Sequence, residues 1–203
     1  MRSAALAGVT GLVVLLAGGT LGATGCGDES ETTTAADRTS AVETADELPK
    51  LPRGWEPFSN PGAGVAFGRP PGWDARTDGT ITRLIAPDEL VVASISADRT
   101  NEAFEVAPGE FARQTARALG GYREPLEPSR PKRFDHRYEA AAVAASGVAA
   151  KSGVRQDVRV VVIRRDDLAV VIAVAAANAE RDSAAGLRTA LEVLETLRTR
   201  PVG

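Results

Sequence analysis

Hydrophobic and polar positions divide the chain into three regimes. An uncharged, largely apolar run covers 3–27, a polar acidic stretch covers 27–50, and only beyond it does the pattern of a folded domain begin. In that last part, Gly64-Val65-Ala66-Phe67-Gly68 predicts a short strand, ended at Pro70-Pro71-Gly72-Trp73, where proline withholds ladder donors and glycine permits a tight turn. Alternation over 80–85 and again over 90–95, with Pro87-Asp88-Glu89 between, predicts a hairpin. Phe111, Thr115, Ala118 and Leu119 recur at helical spacing, predicting a helix that starts as early as Thr100 and is capped at Gly120-Gly121. Residues 122–137 are polar and interrupted by prolines, and so predict a loop. The alanine- and valine-rich 138–148 suits a strand. Residues 158–163 are nearly all β-branched, the mark of a strand covered on both faces, and 168–175 returns as its partner after a turn at Asp166-Asp167. A final helix over 179–198 carries the stripe Leu187, Leu191, Leu194, Leu197, with Glu180 early and Arg198 and Arg200 late, as the macrodipole favours. The order predicts an α+β class: one antiparallel β-sheet with helices packed on its faces.

The leading run changes the picture of where the chain resides. Arg2 is a minimal positive n-region, 4–21 an apolar segment, and Ala23-Thr24-Gly25 a group of small residues before Cys26, the sole cysteine. Thr24-Gly25-Cys26 resembles the lipobox of bacterial lipoprotein precursors, Leu-(Ala/Ser/Thr)-(Gly/Ala)-Cys, although Ala23 stands where leucine is commonest. This assigns 1–25 as signal peptide and Cys26 as the lipidation site, carrying palmitate-type acyl chains on the extracytoplasmic face of the cell membrane. Two other readings stay open: an ordinary small-residue cleavage site, or an uncleaved anchor, since roughly 20 uncharged residues can span a bilayer. Five glycines between Gly8 and Gly22 weaken the last of these.

Charge separates tether from domain. Residues 26–50 hold the cysteine and a stretch with seven acidic and two basic side chains and no aromatic, the composition of a disordered tether. The chain carries −3, the tether −5 and Arg2 +1, so residues 51–203 carry +1 and bulk electrostatics argue against nucleic acid. About 150 residues suit a single domain with a substantial core. Heavy use of Ala, Val, Arg and Gly with little Lys is that of a high-GC genome and, with the lipobox, points to an actinobacterial source.

The element order, opened by Gly-Val-Ala-Phe-Gly-Arg-Pro-Pro-Gly-Trp at 64–73, resembles the PsbP-like α/β/α sandwich, and in particular the LpqN/LpqT-type lipoproteins with lipobox, acidic tether and Pro-Pro-Gly-Trp corner. The resemblance covers roughly 62–198. It implies a non-enzymatic binding or scaffold module at the cell envelope, and it carries over no catalytic residue.

Candidate chemistry is sparse. His136, the only histidine, lies between Asp135 and Arg137 with no Gly-x-Ser-x-Gly nucleophile turn in the chain, and alternation places it at an exposed strand entrance. One histidine and one lipidated cysteine cannot supply zinc ligands, so neither catalytic nor metal residues are assigned and no cofactor is expected. Gly62-Ala63-Gly64 precedes its strand and fails as a dinucleotide fingerprint. A basic run remains, Arg123, Arg130, Lys132, Arg133 and Arg137, diluted by Glu124, Glu127 and Asp135. It is either a solvated loop or a contact for an anionic lipid or glycan. Trp55 and Trp73 are expected in the core edge. The expected partners are the membrane, through Cys26, and an envelope protein or glycolipid. The alternative is a carrier of a lipid or small apolar ligand in space left by the alanines of 140–150 and 173–179.

Overall fold

In the computed structural model, residues 49–99, 102–165, 168–178 and 181–199 are described. The expected single sheet is two. Strands β1 (Glu56–Asn60), β2 (Val65–Arg69) and β10 (Arg198–Thr199) form a three-stranded sheet in the order β1-β2-β10. The main sheet has seven strands in the order β3-β4-β5-β9-β8-β7-β6, every neighbouring pair antiparallel. Its members are β3 (Asp74–Asp78), β4 (Ile81–Ile85), β5 (Val91–Asp98), β6 (Lys132–Arg133), β7 (Glu139–Val148), β8 (Arg155–Arg165) and β9 (Leu168–Ala177). The helices are α1 (Glu102–Glu105), α2 (Pro108–Ala118) and α3 (Arg181–Thr196).

Both expected hairpins form: β4 pairs with β5 through Leu84↔Ala93, and β8 pairs with β9 through Val161↔Ile172. The Asp166-Asp167 turn lies outside the described residues, as do Glu180 and Arg200. At the corner after β2, Gly72 takes φ +76 and the Trp73 N–H donates to the Pro70 carbonyl at 3.3 Å. This turn delivers Trp73 to the core, 7% exposed. Trp55 packs, partly buried, on the same cluster.

The helix expected from Thr100 is interrupted. Pro108 at the first position of α2 supplies no N–H and starts a new helix, while Arg164 Nη2 donates to the Ala103 and Val106 carbonyls and so takes up the end of α1. Nor does a glycine cap α2; Leu119 does, in extended conformation at φ −62, ψ 117, and the positive φ falls at Gly121. The 122–137 segment is loop by hydrogen-bond pattern, yet it runs antiparallel along β7. Arg123 N–H donates to Val148 O, Ser129 N–H to Ala144 O, and Phe134 N–H to Ala140 O. Prolines at 125, 128 and 131 cut what would be an edge strand down to β6.

Two apolar clusters sit on the two faces of the main sheet. On one face, Leu84, Val91, Ile95, Ile163, Ile172 and Val174 meet Val65 and Phe67 of β2 and Ala190, Val193, Leu194 and Leu197 at α3. On the other, Val143, Val158, Val160, Val162 and Val171 meet Ala112, Ala116 and Leu119 at α2. Fully burying one such Val or Leu side chain contributes about 1.5–3 kcal/mol. Helix approach is close: a Cβ added at Gly186 would stand 2.6 Å from Val91 Cγ2, and one at Gly109 2.6 Å from Pro131 Cβ.

Candidate functional site

Side chains of directly paired residues project on one face of a sheet, so the register writes out the α2-side surface in rows. One row runs Asp74, Ile85, Val92, Ala175, Val158, Ala145. The next runs Arg76, Arg83, Ser94, Ala173, Val160, Val143, and the third Asp78, Ile81, Ser96, Val171, Val162, Ala141. Helix α2 rests on the β7–β8 end of these rows. Over β3 and β4 the same face is open, as a groove of about 550 Å³ lined by Asp74, Arg76, Asp78, Ile81, Arg83 and Ile85 among others, with buried Val92 and Ser94 of β5 at its inner end.

Arg76 and Arg83 stand directly opposite, a pairing that repels. Aspartates on the flanking rows offset it, and Arg76 Nε donates to Asp74 Oδ2 at 2.7 Å. The groove therefore presents both signs of charge beside isoleucine. Where α2 meets β5, between Phe111, Thr115, Ser94 and Ser96, the remaining crevice is about 20 Å³. That holds about one water. A carried lipid does not fit this crevice, which Ala173 alone of the alanines of 140–150 and 173–179 lines.

The five cations of the basic run do not form one surface. Arg123 lies at the Val148 end of β7 and Arg137 just before its Glu139 end, on the order of 30 Å apart by strand rise. Lys132 and Arg133 form β6 itself, opposite Ala142 and Ala141, and Arg130 is exposed ahead of them. Charged residues on a short outer strand also protect a sheet edge from pairing with other chains. Only Arg133 and Arg137 share a recess, of about 540 Å³, with Pro108, His136, Tyr138 and Glu139.

His136 is half-buried rather than exposed at a strand entrance. Its Nδ1 accepts the Tyr138 N–H at 3.2 Å and its ring packs on the Tyr138 ring at 5.2 Å. Nε2 is buried near the last turn of α3 without a hydrogen bond. Burial, then the Arg198 charge, holds the imidazole below its ordinary pKa, with Arg137 adding to this and the Leu197 and Leu194 carbonyls opposing. Around Tyr138, the Arg137 and Arg165 guanidinium carbons lie 5.3 and 5.4 Å from the ring centroid. Arg165 Nη1 donates to Thr199 O at 2.9 Å, and Arg198 Nη1 to Leu197 O at 2.7 Å and Glu195 O at 3.1 Å. These carbonyls at the end of α3 attract cations as a helix C-terminus does. Arg165, distant in sequence from the basic run, escapes any sequence pattern. The sole early signal is Arg198 at a helix end, and it does cap α3 although it belongs to β10. Among the described residues no three His, Cys, Asp or Glu side chains group as metal ligands would.

No known protein family and no curated protein matches the chain. Among solved structures, a Bacteroides thetaiotaomicron protein is similar over 72% of this chain at 16% identity with a TM-score of 0.48, and the chain spans about half of that protein, 48%. LpqN of Mycobacterium tuberculosis, described as involved in cell envelope biogenesis, is 19% identical over 72% of this chain and 91% of its own, TM-score 0.43. Cyanobacterial PsbP from Synechocystis is 13% identical over 71% of this chain and 92% of its own, with a TM-score of 0.50. At that identity the likeness speaks to architecture alone: the chain has a PsbP-like fold.

Proposed function

We propose that this chain is a lipid-anchored extracytoplasmic module of the cell envelope that binds a protein partner and carries out no chemistry. One observation carries the reading: one face of the main sheet is an open groove over β3 and β4, while α2 covers the same face over β7 and β8. Its occupant is taken to be protein because the lining mixes Asp74, Asp78 and Glu89 with Arg76, Arg83 and two isoleucines. A polyanionic lipid or glycan would meet more carboxylates than guanidinium groups there. A protein surface, which is itself mixed in charge and half apolar, complements such a lining. Placement outside the cytoplasm rests on Cys26 and the acidic tether.

The test is a photo-reactive amino acid placed at Ile81 in the full chain in its own host, with Arg123 as a control position on the far edge. A discrete protein adduct from position 81, absent from position 123 and lost on Arg83→Glu, supports the reading. Adducts of equal yield at both positions, or none at 81, overturn it.

A further inference from the structure

The recess beside Tyr138 differs in character from the groove. Arg133 and Arg137 line it, both exposed, and among the described residues neither side chain makes a hydrogen bond or an ion pair. Arg137 only stacks on Tyr138. Behind them Arg198 donates to carbonyls and not to a carboxylate, so its charge is solvated by dipoles without being neutralised. Its pKa is lowered by burial and then by Arg137, which reports the two guanidinium groups as mutually repelling neighbours. Glu139 is the one acid lining the recess, and it pairs with neither arginine. Unpaired cations gathered at a concave surface raise the local concentration of anions.

We propose that this recess binds a phosphate group, held between the Arg133 and Arg137 guanidinium groups. Two planar forks present enough N–H donors for several phosphate oxygens, each in bidentate fashion. A single carboxylate would satisfy only one of them. The phosphate comes either as a lipid headgroup or as the free anion, and both share this chemistry. The site does not depend on the protein-binding groove, which lies at the other end of the sheet, so the two stand or fall separately.

The experiment uses the full chain in non-ionic detergent, with the arginine Nε–Hε resonances followed during titration with inorganic phosphate. Saturable shifts at Arg133 and Arg137 are expected. Arg133→Gln and Arg137→Gln weaken binding by roughly tenfold each, the scale of one charge-assisted bidentate contact, while Arg123→Gln at the far end of β7 stays within about twofold. Glu139→Gln, which removes the opposing carboxylate, tightens binding a few-fold. Equal weakening by all three arginine variants would show bulk charge alone and overturn the site, as would shifts that never saturate. Circular dichroism confirms that each variant is folded. A parallel titration with dihexanoylphosphatidic acid separates the sources: tighter binding than inorganic phosphate assigns a lipid headgroup, and equal or weaker binding assigns the free anion.

Discussion

Asn60 shows how much one buried side chain can hold. It is 2% exposed, and its amide donates to Thr82 Oγ1 at 3.0 Å and Gly79 O at 3.1 Å while Oδ1 accepts the Ala63 N–H at 3.2 Å. These bonds tie the end of β1 to the β3–β4 hairpin, joining the two sheets. Asn60→Ala leaves the Ala63 donor and the Thr82 hydroxyl short of partners, and should cost about 1–3 kcal/mol in urea unfolding. Asn60→Asp keeps Oδ1 but loses both donations, so it should not restore stability. His136 acts through protons instead. Its folded pKa is depressed, so unfolding takes up a proton once pH falls below the ordinary histidine value, about 6.5. Its contribution is complete above that pH, declines as pH falls through it, and levels off below the folded pKa. Between pH 7.5 and 5, the wild type should therefore lose more stability than His136→Gln. Equal losses in the two proteins would show that the imidazole is not held neutral.

At the scale of elements, Gly186 sets how near α3 can lie to the sheet. Alanine there gains up to about 1 kcal/mol of helix propensity, but its Cβ would meet Val91 Cγ2 at 2.6 Å, and overpacking costs about 1–3 kcal/mol. Gly186→Ala should thus be neutral to destabilising alone and stabilising in a Val91→Ala background. A double-mutant cycle by chemical unfolding reads that reversal of sign, and additive effects would refute the contact. The same comparison of local preference with tertiary setting explains which elements were legible. β9 could be read because every position is apolar, β8 because its centre, Val160 to Ile163, is all β-branched, and β4 because Leu84 alternates with exposed Arg83. β3 could not: of Asp-Ala-Arg-Thr-Asp only Ala75 packs against the core cluster, so the strand has almost no apolar signature. β1 hides behind Pro57, which sits on an outer strand where a missing donor costs little. β6 and β10 are two residues each and exist only because a longer neighbour presents its edge. The basic run was visible as composition, but its division between two ends of β7 needed the register. The open groove was invisible altogether, since its rows join residues from strands whose pairing sequence spacing alone does not reveal.

For the whole molecule, stability and placement are separate problems. The only cysteine is Cys26, outside the described residues, so no disulfide supports the domain and its two apolar clusters must hold it. Among the described residues no helix is long and apolar enough to cross a membrane. The proposed membrane attachment rests on the N-terminal region, for which the lipobox and the uncleaved anchor make different demands. A lipid anchor depends on one sulfur: two or more acyl chains, at roughly 0.8 kcal/mol per buried methylene, hold stably where one does not. An uncleaved apolar segment does not depend on that atom. Cys26→Ser should therefore move the protein from the membrane to the soluble or secreted fraction without changing its melting temperature, since Cys26 precedes the domain. Membrane retention at the wild-type level would instead assign attachment to the apolar segment. A fall in melting temperature with release would mean that the anchor region packs on the domain. With the anchor in place, a tether of the length and composition expected for residues 26–50 would span about 25–30 Å and leave orientation free. The proposed groove and phosphate sites, at opposite ends of one sheet, would then be able to engage a protein partner and a phosphate group at once.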